Sequence, residues 1–231
     1  MIVCHEHRFI FIKTRKTAGT SIEIALAGLC GARDIITRIS PQDETTRQRL
    51  GFRGRQNDLI TVQRYTGQDW IRLIRRARLA RFYNHATALE VRDHIDPAVW
   101  RSYFKFCFER NPWDKVVSAY FWDRKGGYDD TLSNYVRNGR ANKWSAFDQY
   151  SIRGDIAVDE VFRYENLGEE LDRLYRQLGA GKPPQLPRAK GNTRSDRRHY
   201  SELLGDDERE RIARLFAREI AHFGYRFDRP A

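Results

Sequence analysis

The sequence predicts an α/β fold in which helices pack on a parallel sheet. Two strand-to-helix junctions and a single-domain length lead there. Residues 9–12 (FIFI) form a short apolar run of strand type. They pass through a polar turn into a helical stripe where Ile22, Ala25, Leu26 and Leu29 recur at i, i+3, i+4 and i+7. Residues 103–109 (YFKFCFE) form a second apolar strand that ends at Arg110 and gives way at once to another helix. Two such junctions imply parallel strands joined by crossover helices, and ligands in that architecture sit beyond the carboxyl ends of the strands. At 231 residues the chain reads as one domain spanning 1–231, with residues 32–80 as its least regular stretch.

In chain order, the first strand begins almost at Met1, and Gly31 stops the first helix. Residues 34–40 (DIITRIS) suggest a further strand, and Pro41 with QDETTRQRLG a turn and short helix. Residues 68–83 read as a strongly basic helix. Trp70, Leu73, Ile74 and Ala77 make its apolar face, and Arg72, Arg75, Arg76 and Arg78 crowd the rest, either as ordinary surface or as a basic rim beside an anion site. Residues 87–94 form a short helix, and Pro97 opens another. At the second junction Asn111 is an N-cap, Pro112 the first helical residue and Asp114 a first-turn acid; Trp113, Val116, Val117 and Tyr120 share one face. Residues 126–155 read as a mobile polar connection around a helix at 132–137. A strand over 161–164 and a helix bearing Leu167, Leu171, Leu174 and Leu178 follow. Pro183, Pro184 and Pro187 forbid regular structure, residues 188–200 form a basic, hydroxyl-rich loop, and a last helix starts near Asp206 and stops at Gly224.

The net charge of +11, from 42 Lys and Arg, points to a polyanionic partner: nucleic acid, an anionic glycan or a multiply phosphorylated nucleotide. Zinc-finger spacing, RNA-recognition aromatics and a long basic arm are all missing from the sequence, so nucleic acid is disfavoured. No run reaches membrane-spanning length, and no signal-peptide pattern opens the chain. Cys4, Cys30 and Cys107 lie in apolar settings without a CxxC pair, which suggests reduced, buried thiols and a cytoplasmic location.

The turn at the first junction reads Lys13-Thr14-Arg15-Lys16-Thr17-Ala18-Gly19-Thr20-Ser21. Free N–H groups at the start of the following helix and its dipole make an anion site, and the lysines and hydroxyls add charge and donors. The lysine stands at the front of KTAGTS, whereas the nucleoside-triphosphate loop places it directly before the hydroxyl at the helix start.

The KTAGTS order resembles the 5′-phosphosulfate loop of sulfotransferases that use PAPS, 3′-phosphoadenosine 5′-phosphosulfate. FCFERNPWDKVVSAY resembles the same family's 3′-phosphate motif, with Arg110 and Ser118 eight residues apart. FRYENL at 162–167, the loop at 188–200 and AHFGYRF at 221–227 are similar as well. The nearest resemblance is to bacterial members of sulfotransferase family 2, kin to heparan sulfate 2-O-sulfotransferase.

The resemblance implies a P-loop-like three-layer fold with a central parallel sheet flanked by helices. It also implies transfer of a sulfuryl group from PAPS to an acceptor hydroxyl, giving PAP, with no metal required. The cofactor-binding residues it implies are Lys16, Thr17, Ala18, Gly19, Thr20, Ser21, Arg110, Ser118, Lys190 and Arg194. Lys16 matches the family lysine that stabilises the leaving phosphate, with Lys13 as rival because it too could reach the loop. Arg15 stands where the family often has proline, which leaves the loop geometry and the choice of lysine open. His85 matches the general base, with Glu90 as the alternative. The implied partner is a hydroxyl acceptor, a glycan by kinship and anionic by charge, with a small molecule or a lipid-linked sugar as alternatives, no nucleic acid and no membrane span. Residues 32–80 are then a variable insert that supplies candidate acceptor-side helices. Two other classes stay open: phosphoryl transfer on the same scaffold, and non-catalytic binding of a nucleotide or anionic glycan.

Overall fold

The computed structural model of the protein describes residues 1–187 and 194–228. Strands β1 (Ile2–Cys4) and β2 (Phe9–Phe11) form a hairpin, helix α1 (Gly19–Ala27) follows, and β3 (Ile35–Ile36) pairs with β1. Helices α2 (Pro41–Arg49), α3 (Gly67–Arg76), α4 (Ala88–His94) and α5 (Pro97–Ser102) lead to β4 (Phe104–Glu109). Then come α6 (Pro112–Lys125), α7 (Leu132–Arg137), a 3₁₀ turn (Arg140–Trp144) and α8 (Phe147–Tyr150). A small pair of strands, β5 (Ser151–Ile152) and β6 (Asp155–Ile156), precedes β7 (Glu160–Arg163) and α9 (Leu167–Gln177). The C-terminal part holds α10 (Tyr200–Leu203), α11 (Asp206–Leu215) and α12 (Ala217–Phe223).

The main sheet runs β3-β1-β2-β4-β7. Its centre, β2, β4 and β7, is parallel, and β1 and β3 add an antiparallel edge. Alternation along the strands makes the layers. Phe9, Phe11, Phe106, Phe108 and Phe162 face one side, where they pack against Ile22 and Leu26 of α1 and Leu171 and Leu174 of α9. Ile10, Ile12 and Cys107 face the other, against Val91 of α4 and Phe147 and Tyr150 of α8. Each fully buried phenyl ring contributes about 1.5–3 kcal/mol to this sandwich. A separate cluster around Trp113, Tyr120, Tyr135, Ile212 and Phe216 seats α6, α7 and α11 together.

Three readings of the sequence are corrected. The basic helix stops at Arg76, because Ala77 turns left-handed at φ 48, seven residues before the expected end. Its expected apolar face is not a core face: Trp70, Ile74 and Ala77 are exposed, as is Ile71, Leu73 is half-buried, and the buried residue of the helix is Asp69. Residues 126–155 are folded, with Tyr135, Ala141, Trp144, Phe147 and Tyr150 buried. The final helical stretch is also two helices that meet at Phe216, with Gly224 ending the second at φ 64. The cysteines are free and buried as expected, and Cys4 and Cys30 come together beside Asp34.

Candidate active site

Chain leaving the ends of β2 and β4 borders one cleft of about 780 Å³. The first wall is the turn into α1. Two non-glycine residues there have positive φ, Lys16 at 64° and Ala18 at 55°, and they curl the turn back on itself. The helix's own bonding starts with Ile22 N–H donating to Ala18 O at 3.1 Å, so the N–H groups of Gly19, Thr20 and Ser21 have no intrahelical acceptor. With the helix dipole they make a concave site for an anion. A Cβ at Gly19 would lie 2.8 Å from Lys13 Cγ and 3.2 Å from Thr14 O, so the turn closes only on glycine. The Thr14 hydroxyl donates to the Phe108 carbonyl and thereby ties this turn to β4.

Both lysines of the turn line the cleft, but their ammonium groups meet different partners. Lys13 is buried, and its Nζ meets Glu23 Oε2 at 2.7 Å and Asn84 Oδ1 at 2.8 Å. Burial alone would raise the Glu23 carboxyl, but the Lys13 charge and hydrogen bond, with the charges of the N-terminus and Arg47, together outweigh it and hold Glu23 below the usual carboxylate range. Lys16 lines the cleft, with its ammonium 4.9 Å from the ring centre of Trp122 and 6.0 Å from that of Trp144. Two indole faces stabilise a cation while leaving it directed at the cavity.

The second wall is the start of α6. Arg110 donates from Nε to Asp114 Oδ2 at 2.8 Å and from an Nη to the Lys16 carbonyl at 3.0 Å, and its guanidinium lies 4.2 Å from the Tyr164 ring centre. Asp114 also accepts from Arg194 at 3.1 Å, so one carboxylate aims two guanidiniums. Asn111 caps the helix by accepting from the N–H groups of Trp113 and Asp114. Buried Lys115 pairs with Glu109 at the end of β4 and fixes the angle of the junction. Ser118 faces the cleft two turns into α6.

On the third side stands His85. Its Nδ1 lies 2.9 Å from the Lys13 carbonyl oxygen. A carbonyl only accepts, so Nδ1 carries the proton and Nε2 keeps the lone pair. Burial pushes the His85 pKa down to about 4; the carbonyl bond opposes this, and the Lys13 and Arg15 charges reinforce it. The ring is therefore neutral at pH 7, with the Nε2 lone pair able to accept a proton. The other histidines are placed elsewhere: His94, for instance, is held between Asp69 and the Glu90 carbonyl. The Glu90 carboxylate caps α4, accepting from Thr87 N–H and Oγ1 and from the Tyr83 hydroxyl.

Lys16, Ala18, Gly19, Thr20, Ser21, His85, Arg110, Ser118 and Arg194 all line this one cleft. Thr17 does not line it: the residue is turned inward, its hydroxyl 3.0 Å from that of Thr14. Lys190 lies outside the described residues. Sequence reasoning missed Trp122, Lys143, Trp144 and Tyr164, which also line the cavity, and the orienting role of Asp114. Trp122 sits one turn beyond Ser118, a spacing that could have revealed it; Trp144 has no comparable signal.

A family model described as "Sulfotransferase family" matches residues 1–226. An uncharacterized protein of Archaeoglobus fulgidus is 32% identical over 94 residues, which cover 38% of this chain and 78% of that protein. No solved structure matches the chain.

Proposed function

Given that the chain belongs to the sulfotransferase family and is a sulfuryl-transfer enzyme, we propose that its donor is PAPS and that its acceptor is a carbohydrate hydroxyl. The observation that carries this reading is the convergence on one cleft of two anion-binding walls and a neutral, buried histidine. The donor set fits the two ends of such a nucleotide. The α1 start with Lys16 suits a 5′-phosphosulfate, and Arg110, Arg194 and Ser118 suit a 3′-phosphate.

When bound, PAPS supplies an electrophilic sulfuryl group on a phosphate that leaves as negative charge grows on the bridging oxygen. Lys16 and the N–H groups of Gly19, Thr20 and Ser21 form the electropositive end that stabilises such charge, and the curled turn holds them in place beforehand. His85 Nε2 takes the acceptor's proton, and the Lys13 carbonyl holds the ring and shares the charge it gains. Glu90 is committed to the α4 cap, which favours His85 as the base. The basic cleft margin, with Arg15 and Lys143, suits an anionic acceptor.

Thermal shift with PAP and ADP tests the donor, and product formation from PAPS with and without magnesium tests the chemistry. A preference for PAP with metal-independent turnover is expected. Equal stabilisation by PAP and ADP would remove the 3′-phosphate assignment.

A further inference from the structure

Helix α3 carries its apolar side outward. Ile74 is 81% exposed, Ile71 54% and Trp70 46%, although a helix of a globular domain normally turns such residues to the core. The helix is held instead by a polar anchor, Asp69, which is buried, accepts from Thr66 and lies 2.8 Å from His94 Nε2. Four arginines, Arg72, Arg75, Arg76 and Arg78, are exposed along the same stretch, and Leu79 and Tyr83 extend the exposed apolar surface beyond it. Among the described residues, the acid within ion-pair distance of these arginines is Asp69, 3.9 Å from Arg72.

We propose that α3 is an interfacial helix that docks the enzyme on an anionic lipid surface, with Trp70, Ile71 and Ile74 entering the headgroup boundary and the arginines meeting lipid phosphates. A Trp- and Ile-bearing face beside an arginine-rich one is the composition that lies in the plane of a bilayer interface. Charge complementarity selects this occupant over a second copy of the chain, since a two-fold contact through α3 would set one arginine row against its equivalent. A fluid surface also needs no groove to receive these exposed side chains. The docked surface runs on toward the cleft along the chain, where exposed Tyr83 stands two residues before His85 of the cleft wall.

The test is co-sedimentation of the full chain, without donor, on vesicles of phosphatidylcholine alone or with added phosphatidylglycerol. Binding to the anionic vesicles is expected, weakening as salt rises. Ile74→Asp should reduce it roughly tenfold or more. Arg75→Glu with Arg76→Glu should reduce it about 25-fold or more, since each arginine near such a surface is worth about fivefold. These side chains are exposed, so folding, followed by circular dichroism, should not change. Reversal of Arg101 and Arg214 is the control for diffuse basic charge. The proposal fails if the anionic vesicles leave the protein in solution, which would favour an acidic protein as occupant. It fails equally if the control pair loses as much binding as the α3 pair, or if Ile74→Asp abolishes a dimer in sedimentation velocity while vesicle binding persists.

Discussion

His85 Nδ1 donates to the Lys13 carbonyl oxygen across 2.9 Å, and this bond ties the proposed base to the strand end that opens the phosphate-binding turn. The relationship fixes both the tautomer and the direction of the ring. His85→Ala is expected to lower single-turnover rate by about 10²–10⁴ while leaving PAP affinity close to wild type. A wild-type rate in that variant would remove the base assignment.

The pH profile follows from the same burial. With the free-enzyme His85 pKa lowered to about 4, kcat/KM should rise with pH through that value and be level from about pH 6 upward. An exposed histidine would give a rise near 6.5 instead. A kcat/KM profile that bends near 6.5 would show that the ring is not desolvated in solution.

Stability carries the matching signature. The unfolded histidine binds a proton near pH 6.5, whereas the folded one resists protonation until about pH 4. Between those values the unfolded state holds more protons, so this contribution is present above pH 6.5 and is lost as pH falls toward 4. It is on the order of 3 kcal/mol. His85→Gln should flatten this part of the dependence, which urea unfolding at pH 4.5 and 7 would measure against wild type.

The two lysines of the turn separate by the kind of damage they cause. Lys13→Met removes the shorter of two ion pairs from the buried Glu23 carboxylate, which keeps the Met1 amino group at 3.2 Å and the Thr37 hydroxyl at 3.1 Å, and should cost about 3 kcal/mol of stability, partly restored by adding Glu23→Gln. Lys16→Ala should keep wild-type stability and lose about 10²–10³ in rate. If Lys13→Met with Glu23→Gln is stable but inactive while Lys16→Ala turns over, the catalytic lysine is Lys13.

The junctions were legible because capping and strand signals are local. Asn111, Pro112 and the alternating Phe106 and Phe108 each announce their role within a few residues. The separation of Lys13 from Lys16 was not legible, because Glu23 and Asn84, which claim Lys13, lie 10 and 71 residues away. Trp144 was hidden for the same reason: the polar segment around it is ordered by tertiary contacts such as that of its indole N–H with the Tyr135 hydroxyl. Periodicity misled at α3, where a regular apolar stripe faces outward. Period identifies a face but does not say what covers it.

Arg110 is where orientation and charge can be told apart. Its guanidinium is held 4.2 Å over the Tyr164 ring centre, paired with Asp114, and Asp114 holds Arg194 as well. A charge-assisted, correctly aimed guanidinium is among the stronger phosphate contacts, and lysine lacks the planar fork that gives the aim. Arg110→Ala should therefore abolish the preference for PAP over ADP, and Arg110→Lys should restore only part of it. Asp114→Asn keeps both arginines and removes a competing negative charge, but loosens their aim. If aim dominates, PAP affinity falls in Asp114→Asn; if charge dominates, it rises. Calorimetric titration of PAP and ADP into the three variants decides between them. Retention of the full PAP preference in Arg110→Ala would show that the 3′-phosphate is not read at this junction.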